Sequence, residues 1–403
     1  MKFHFWVDDM HSYIAAEFES TDARSGKREE GAGTEITLQD QILKYDYRVI
    51  DIHPDILGLI CMINFFPFIG DSVTFPKPVS RRLVDAFSTQ PFVSKKKINF
   101  TNVSDDIEKY SGKNLSIVFG GGVDSTAVRL MFPEALCVHE SHIRNYQKVS
   151  QASDEIVRSF DDGKGVVVNS NQRYVSIPGG WHSWPASAVS ALLMATDKGT
   201  GLLLTGTVQA ANWLWNGVRF YDRHKHREIQ GFSGNHWQSV FYEIGIPMFS
   251  PIDGVSEFGN MSIAIGEVKE GRVIYCTANS GQHCNRCTKC FRKALLRQFF
   301  DEDWQHDFES YNRPDIHEYL ARRPLYMGHI FSFLKKKGKM PKWSSEHLRG
   351  LRKVESDWPL NYYEPALDFC PEDWRDLLEG RIQKSFKMMS KEESEEFVSW
   401  IQD

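Results

Sequence analysis

The 403-residue chain contains no apolar run long enough to span a bilayer as a helix. Its longest, Ile56 to Gly70, falls short of the roughly 20 residues a span requires and is broken by Pro67, so it is expected to be core. The first residues, Met1 to Phe18, lack the basic, apolar, small-residue order of a secretory signal, which predicts a cytoplasmic protein without a membrane partner. Positive charge is not in excess: 48 Lys and Arg face 53 Asp and Glu, giving a net charge of −5. That balance excludes a protein that coats nucleic acid through bulk charge. No repeat is visible, and the scattered prolines, 41% apolar and 25% charged residues argue against a disordered or fibrous chain. A disulfide framework is also missing, because the seven cysteines are odd in number and four of them lie between Cys276 and Cys290. This clustering points to a metal in a reducing compartment.

What the chain does have is a change of texture near residue 111. Residues 1–110 mix strand-like stretches, Lys2 to Val7 and Tyr47 to Ile52, with the apolar run, and read as an N-terminal α+β domain ending in the polar boundary Asn99 to Asp106. From Leu115 onwards short apolar runs alternate with helical patterns, as in β-α-β units around a parallel sheet. Strands are expected at Leu115 to Phe119, Ala135 to Val138, Gly165 to Val168 and Gly201 to Thr205; helices are expected at Asp124 to Met131, Ser150 to Phe160 and Ala186 to Asp197. The predicted class is therefore α/β, with a nucleotide-binding domain over 111–300 and a helical region over 301–403, where prolines cut the chain into short pieces.

The stretch "VFGGGVDSTAV" leaves an apolar strand and enters a helix. Gly120, Gly121 and Gly122 allow close backbone approach to an anion, and the amides of Val123, Asp124, Ser125 and Thr126 fall at a helix N-terminus, where unpaired N–H groups favour phosphate. A purely structural turn, with Asp124, Ser125 and Thr126 as N-terminal helix residues, is the alternative. The turn has no lysine for a Walker A loop, and Ser125 breaks the dinucleotide G-x-G-x-x-G pattern. It resembles the Ser-Gly-Gly-x-Asp-Ser pyrophosphate loop of the N-type ATP pyrophosphatases, with Gly120 in place of the serine.

Downstream, Cys276, Cys284, Cys287 and Cys290 are separated by seven, two and two residues. Four thiolates so spaced suit a closed tetrahedral zinc site, which is structural because no position stays open for chemistry; an iron–sulfur cluster is the alternative. Loop and cysteine knuckle together are similar to 7-cyano-7-deazaguanine synthase and its relatives over about residues 113 to 295. "ALCVHESHIRN", "YVSIP" with "ASAVSALLMA", and "LLLTGT" resemble that family's intervening segments. The resemblance implies a Rossmann-like sheet of the adenine nucleotide alpha hydrolase type. It also implies an ATP- and Mg²⁺-dependent ligase that adenylates a deazapurine carboxylate, releases pyrophosphate and forms an amide or nitrile with ammonia. Asp124 would organise metal or water and Ser125 would donate to phosphate, and Phe119, Val138 and Gly206 would complete the ATP site.

Around the acid, the chain departs from this family. It has "GGWHSW" where the family has an Arg-Asn pair, and a cysteine-free "WLWNGVRFYDRHKHREIQGFSGNHW" in place of the family's substrate loop. Trp181, His182, Arg219, Asp222 and Arg223 in these segments are candidate substrate residues, with Trp213, Trp215 and Phe220 available to stack a flat ring. An exposed loop folding over the sheet is the alternative. His142 and Arg144, just beyond the second strand, suit a carboxylate or phosphate, or form a surface pair. Relatives of the synthase occur in bacterial antiviral systems with added terminal domains, so a protein amine is a further acceptor to consider, as is a homodimer. Two other readings stay open: a tRNA- or nucleoside-modifying enzyme of the same fold, and an inactive nucleotide sensor or nucleic-acid-binding zinc protein. The basic run Lys335 to Lys353 suits either an anionic partner or a solvated face.

Overall fold

The computed structural model describes residues 1–28, 34–90, 93, 96–144, 147–148, 152–160, 163–225, 235–276 and 284–402. Among these, the chain is a mixed α/β protein with one large, mostly parallel sheet and a small antiparallel one. The N-terminal strands are β1 (Lys2–Val7), β2 (Ser12–Glu17), β3 (Ser25–Lys27), β4 (Glu35–Leu38), β5 (Ile42–Tyr45), β6 (Ser72–Ser80) and β7 (Asn99–Ser104). They are followed by β8 (Asn114–Val118), β9 (Leu136–Arg144), β10 (Gln147–Lys148), β11 (Gly165–Ser170), β12 (Ser176–Ile177), β13 (Thr200–Leu204) and β14 (Met248–Phe249).

The large sheet runs β14-β13-β8-β9-β11-β5-β2-β1-β6-β7, with β10 folded back on the end of β9, and the small sheet is β12-β4-β3. Within the parallel part, β11-β9-β8-β13-β14, the chain places its third, second, first, fourth and fifth strands side by side. Strand order therefore reverses between β8 and β13. β13 is buried at every residue, as expected of a parallel strand covered on both faces. Its two-residue alternation sends Leu202 and Leu204 to one core and Leu203 to the other.

The N-terminal strands extend this sheet. β5 meets β11 antiparallel at the Ser170–Tyr45 pair, and β4 pairs with β12 at Ser176–Leu38. The segment Asn99 to Asp106 carries the edge strand β7. Tyr47 to Ile52, expected as a strand, is instead irregular, bent chain. The carboxylate of Asp197 accepts from the Tyr47 hydroxyl and from the amides of Ile50 and Asp51 at 2.9–3.0 Å, so these two amides are unavailable to a strand ladder.

The helices α1 (Pro54–Phe65) and α2 (Arg81–Ser88) precede β8; α3 (Val123–Met131) follows it; then come α4 (Ala152–Arg158), α5 (Val189–Lys198), α6 (Gln209–Asn212), α7 (Asn235–Glu243), α8 (Glu257–Lys269) and α9 (Thr288–Phe300). α1 carries most of the long apolar run and is buried from Asp55 to Phe65, between β6 and α5, as suits a helix apolar all round. It belongs to a core on one face of the sheet with residues of α2, α5 and α7. The opposite core joins α3, α8 and α9 to the C-terminal region, which contains α10 (Pro314–Ala321), α11 (Gly328–Lys336), α12 (Arg375–Ser385) and α13 (Lys391–Val398) between short 3₁₀ turns. No helix among the described residues is long and apolar enough to cross a membrane.

Candidate functional site

The glycine turn joins the carboxyl end of β8 to α3, where the strand order reverses. The Phe119 amide still donates to the Val138 carbonyl at 2.9 Å, after which the chain leaves the sheet. Gly121 has a φ of +75°, and a Cβ there would lie 3.0 Å from Ile274 Cγ1 and Ser153 Cβ, so both conformation and space call for glycine. Gly122 is the N-cap of α3, and the Thr126 amide closes the first helical bond to its carbonyl at 3.0 Å. The amides before Thr126 precede any intrahelical acceptor, which leaves them for an anion. Ser125 donates its hydroxyl to the Gly122 carbonyl at 3.3 Å. Gly206, just past β13, abuts the turn from the neighbouring strand: a Cβ there would meet the Ser125 nitrogen at 2.9 Å.

These elements form one wall of a cleft of about 570 Å³ at the carboxyl ends of the parallel strands. Phe119, Gly120, Gly122, Asp124, Ser125, Val138 and Gly206 of the expected ATP site line it, and so do His142 and Trp181 of the expected substrate set. Asp124 accepts from Asn260 Nδ2 of α8 at 3.0 Å. The protein packed around its carboxyl raises its pKa from the ordinary aspartate value, against the pull of Lys293.

Several cleft residues escaped the sequence reading. His139 Nδ1 lies 2.8 Å from the Phe119 carbonyl oxygen, and its Nε2 lies 3.2 Å from Asp154 Oδ1, so β9 ties the turn to α4. Glu140 is buried: Ser170 donates to its Oε1 at 2.6 Å, while Oε2 has no hydrogen-bond partner among the described residues. His142 Nδ1 stands 3.6 Å from Glu140 Oε1, and Arg173 Nη1 is 3.4 Å from His142 Nε2. The Arg173 guanidinium also lies 5.6 Å from the Trp181 ring centre, and Tyr174 adds another ring. Alternation along β9 puts Glu140 and His142 on one side, which "HESH" already hinted; Arg173 follows β11 and had no such signal.

Other expected substrate residues serve the fold. His182 lies 3.1 Å from the Ser176 hydroxyl, packs edge-on against Phe68 and is pushed by burial to a pKa of about 4. Arg223 is buried and pairs with Asp253 at 2.6 Å, between Phe369 and Trp213. Asp222 caps its own turn through the amides of His224 and Lys225; the Arg219 backbone forms a β-bridge with Ile401, and its guanidinium lies 5.9 Å from the Trp215 ring centre. Trp213 is fully buried against Phe220, Tyr363 and Phe369, whereas Trp215 is exposed. Arg144 is the last residue of β9; its side chain lies outside the described part, as does the rest of the presumed substrate loop at 226–234. In the basic run, Lys336 and Lys337 pair with Asp357, Lys339 pairs with Glu302, and Arg352 donates to the Ser399 carbonyl, so much of it fastens the C-terminal region together.

The four cysteines converge. Sulfur atoms of Cys276, Cys284, Cys287 and Cys290 lie within 4.8 Å of one another, with Cys276 to Cys287 at 4.0 Å and Cys284 to Cys290 at 3.7 Å. Tetrahedral zinc with Zn–S bonds of about 2.3 Å requires sulfurs roughly 3.8 Å apart, so the set could bind a zinc ion. The Cys287 and Cys290 amides point at the sulfurs of Cys284 and Cys287 at 3.3 and 3.4 Å, donors that stabilise thiolates. The remaining cysteines are buried apart: Cys61 in one core, Cys137 and Cys370 in the other.

Residues 236–401 match the model of a family of unknown function, DUF6395, a span that takes in α8, the cysteine cluster and the C-terminal region but not the glycine turn. No curated protein and no solved structure matches the chain.

Proposed function

We propose that the chain is an ATP-dependent carbon–nitrogen ligase that adenylates a carboxylate in this cleft and passes the acyl group to ammonia or another amine. One observation carries the reading: a glycine turn with uncommitted helix-N-terminal amides sits at the carboxyl end of β8, at the strand-order reversal, with Gly206 against it. That third-second-first-fourth-fifth order is the doubly wound, Rossmann-like arrangement, in which ligands bind at the reversal.

In this reading the amides of Val123 to Ser125 hold the β and γ phosphates, and Phe119 and Val138 flank the nucleoside. Asp124 would hold the Mg²⁺ that accompanies ATP, an ion that offsets pyrophosphate charge. Arg173 and His142 orient the substrate carboxylate, and Trp181 offers a face to a flat ring, as the deazapurine acid implied by the sequence resemblance would need. A carboxylate oxygen attacks the α phosphorus, the bond to the bridging oxygen breaks and pyrophosphate leaves. The amine then attacks the acyl carbon, loses a proton and expels AMP. A small amine or a protein amine would serve equally as acceptor.

The test is to incubate the protein with Mg²⁺, ammonium and ATP labelled at the α phosphate, with and without 7-carboxy-7-deazaguanine. Acid-dependent AMP and pyrophosphate are expected. ADP would overturn the reading; AMP formed only on adding cell extract would keep adenylation and discard the deazapurine; binding without turnover would favour a nucleotide sensor.

A further inference from the structure

Two lines of contact run from the four-cysteine cluster to the glycine turn. The first is backbone: Ile274, two residues before Cys276, donates its amide to the Gly121 carbonyl at 2.7 Å. The second passes through side chains. Cys287 caps α9, and Arg292, two residues beyond Cys290, forms a bidentate pair with Glu257 at 2.7 and 2.9 Å. Both partners are buried. Glu257 opens α8, and Asn260 lies three residues on, at a spacing that shares a helix face; from there its amide reaches Asp124.

Such a chain is stiff. A bidentate Arg–carboxylate pair fixes angle as well as distance, and each helix moves as a body. Asn260 is fully buried, and its Oδ1 has no hydrogen-bond partner among the described residues, so its one side-chain bond is the one to Asp124. Lys293, buried next to Arg292, adds its charge to the same pair of acids, Asp124 and Glu257. The turn itself contains no lysine, so its one acidic side chain takes its orientation from α8 and α9.

We infer that Arg292, Glu257 and Asn260 form a strut, braced by the Ile274 amide, through which metal in the cysteine cluster sets the position of Asp124 and the rigidity of the phosphate-binding turn. Asn260 is a positioning residue, since it bonds Asp124 and is not among the residues that line the cleft. The consequence for ATP affinity rests on the function proposed above; the rigidity of the turn does not.

Hydrogen exchange of the full chain, read over Phe119 to Met131, separates the two. The comparison is between zinc-loaded protein, chelator-treated protein, zinc-loaded Asn260→Ala and zinc-loaded Ser262→Ala, the last altering α8 at a hydroxyl that donates to the Gly259 carbonyl of the same helix. Chelation and Asn260→Ala are each expected to speed exchange in the turn several-fold. Asn260→Ala should also weaken MgATP binding about tenfold with zinc content unchanged, and Ser262→Ala should do neither. Chelation that loosens residues 284–300 while exchange over the turn stays the same overturns the strut. If chelation unfolds the whole chain, Asn260→Ala decides alone, and unchanged exchange overturns the proposal. A wild-type protein that binds no ATP but shows the coupled exchange upholds the strut and removes the nucleotide reading.

Discussion

The turn Phe119 to Thr126 and the segment Trp213 to Lys225 both look like ligand sites in sequence, and they end in opposite conditions. In the turn, the protein uses few of the available groups: amides at the head of α3 precede their helical acceptors, and no described residue lies within 4 Å of where a Gly120 Cβ would stand. In the segment, the same kinds of residue are consumed by the fold. Arg223 is bound to Asp253, Trp213 is walled in by the rings of Phe220, His224, Tyr363 and Phe369, and Asp222 closes its own turn. A buried arginine and tryptophan are therefore poor evidence of a ligand once their partners are known. Donors left over at a helix start are better evidence, because no intrahelical acceptor precedes them and nothing else among the described residues accepts from them.

The largest effect that would sharpen this contrast lies in the second region. Arg223→Met should strand the buried Asp253 carboxylate and cost about 3–5 kcal/mol, seen as a lower melting temperature; a variant that melts like the wild type would return the segment to the list of ligand sites. Burial outweighs Arg223 and holds the Asp253 pKa at about 6, above its ordinary 3.8. The folded state thus keeps a proton that the unfolded chain releases, so stability should fall as pH rises from about 4 to about 6 and recover on acidification. Asp253→Asn should flatten that part of the curve.

In the turn, the expected changes are in function. Asp124→Asn keeps the shape but should slow AMP formation by about 10²-fold or more. Unchanged AMP formation would remove Asp124 from the chemistry. Next in size, Gly206→Val would press a side chain on the Ser125 nitrogen and should weaken ATP binding about tenfold, as overpacking does, with affinity by calorimetry as the check. Smallest is Gly120→Ser, which enters open space and restores the residue of the resembling family; ATP affinity should change less than about twofold. A large loss there would mean that phosphate lies closer to Gly120 than the cleft suggests.

Legibility followed distance along the chain. Strand, glycine turn and helix span about twenty contiguous residues, and the four cysteines fifteen, so spacing alone carried their grouping. Tyr47 to Ile52 was misread because the Ile50 and Asp51 amides are taken by Asp197, some 150 residues away, which no local pattern reveals. Arg173 went unnoticed for the same reason: it follows β11, and reaches His142 of β9 only because the two strands pair in parallel.

By itself, then, the sequence determined the α/β class, the local geometry of the glycine turn and the composition of the cysteine cluster, all products of short-range backbone preference and close spacing. Tertiary structure alone decided that the N-terminal strands continue the large sheet through β5 and β11, that Asn260 reaches Asp124, and that Arg223 faces Asp253 rather than a ligand. The reason is that a polar side chain is a binding group only if folding leaves it unpaired, and the partners that settle this come from distant parts of the chain.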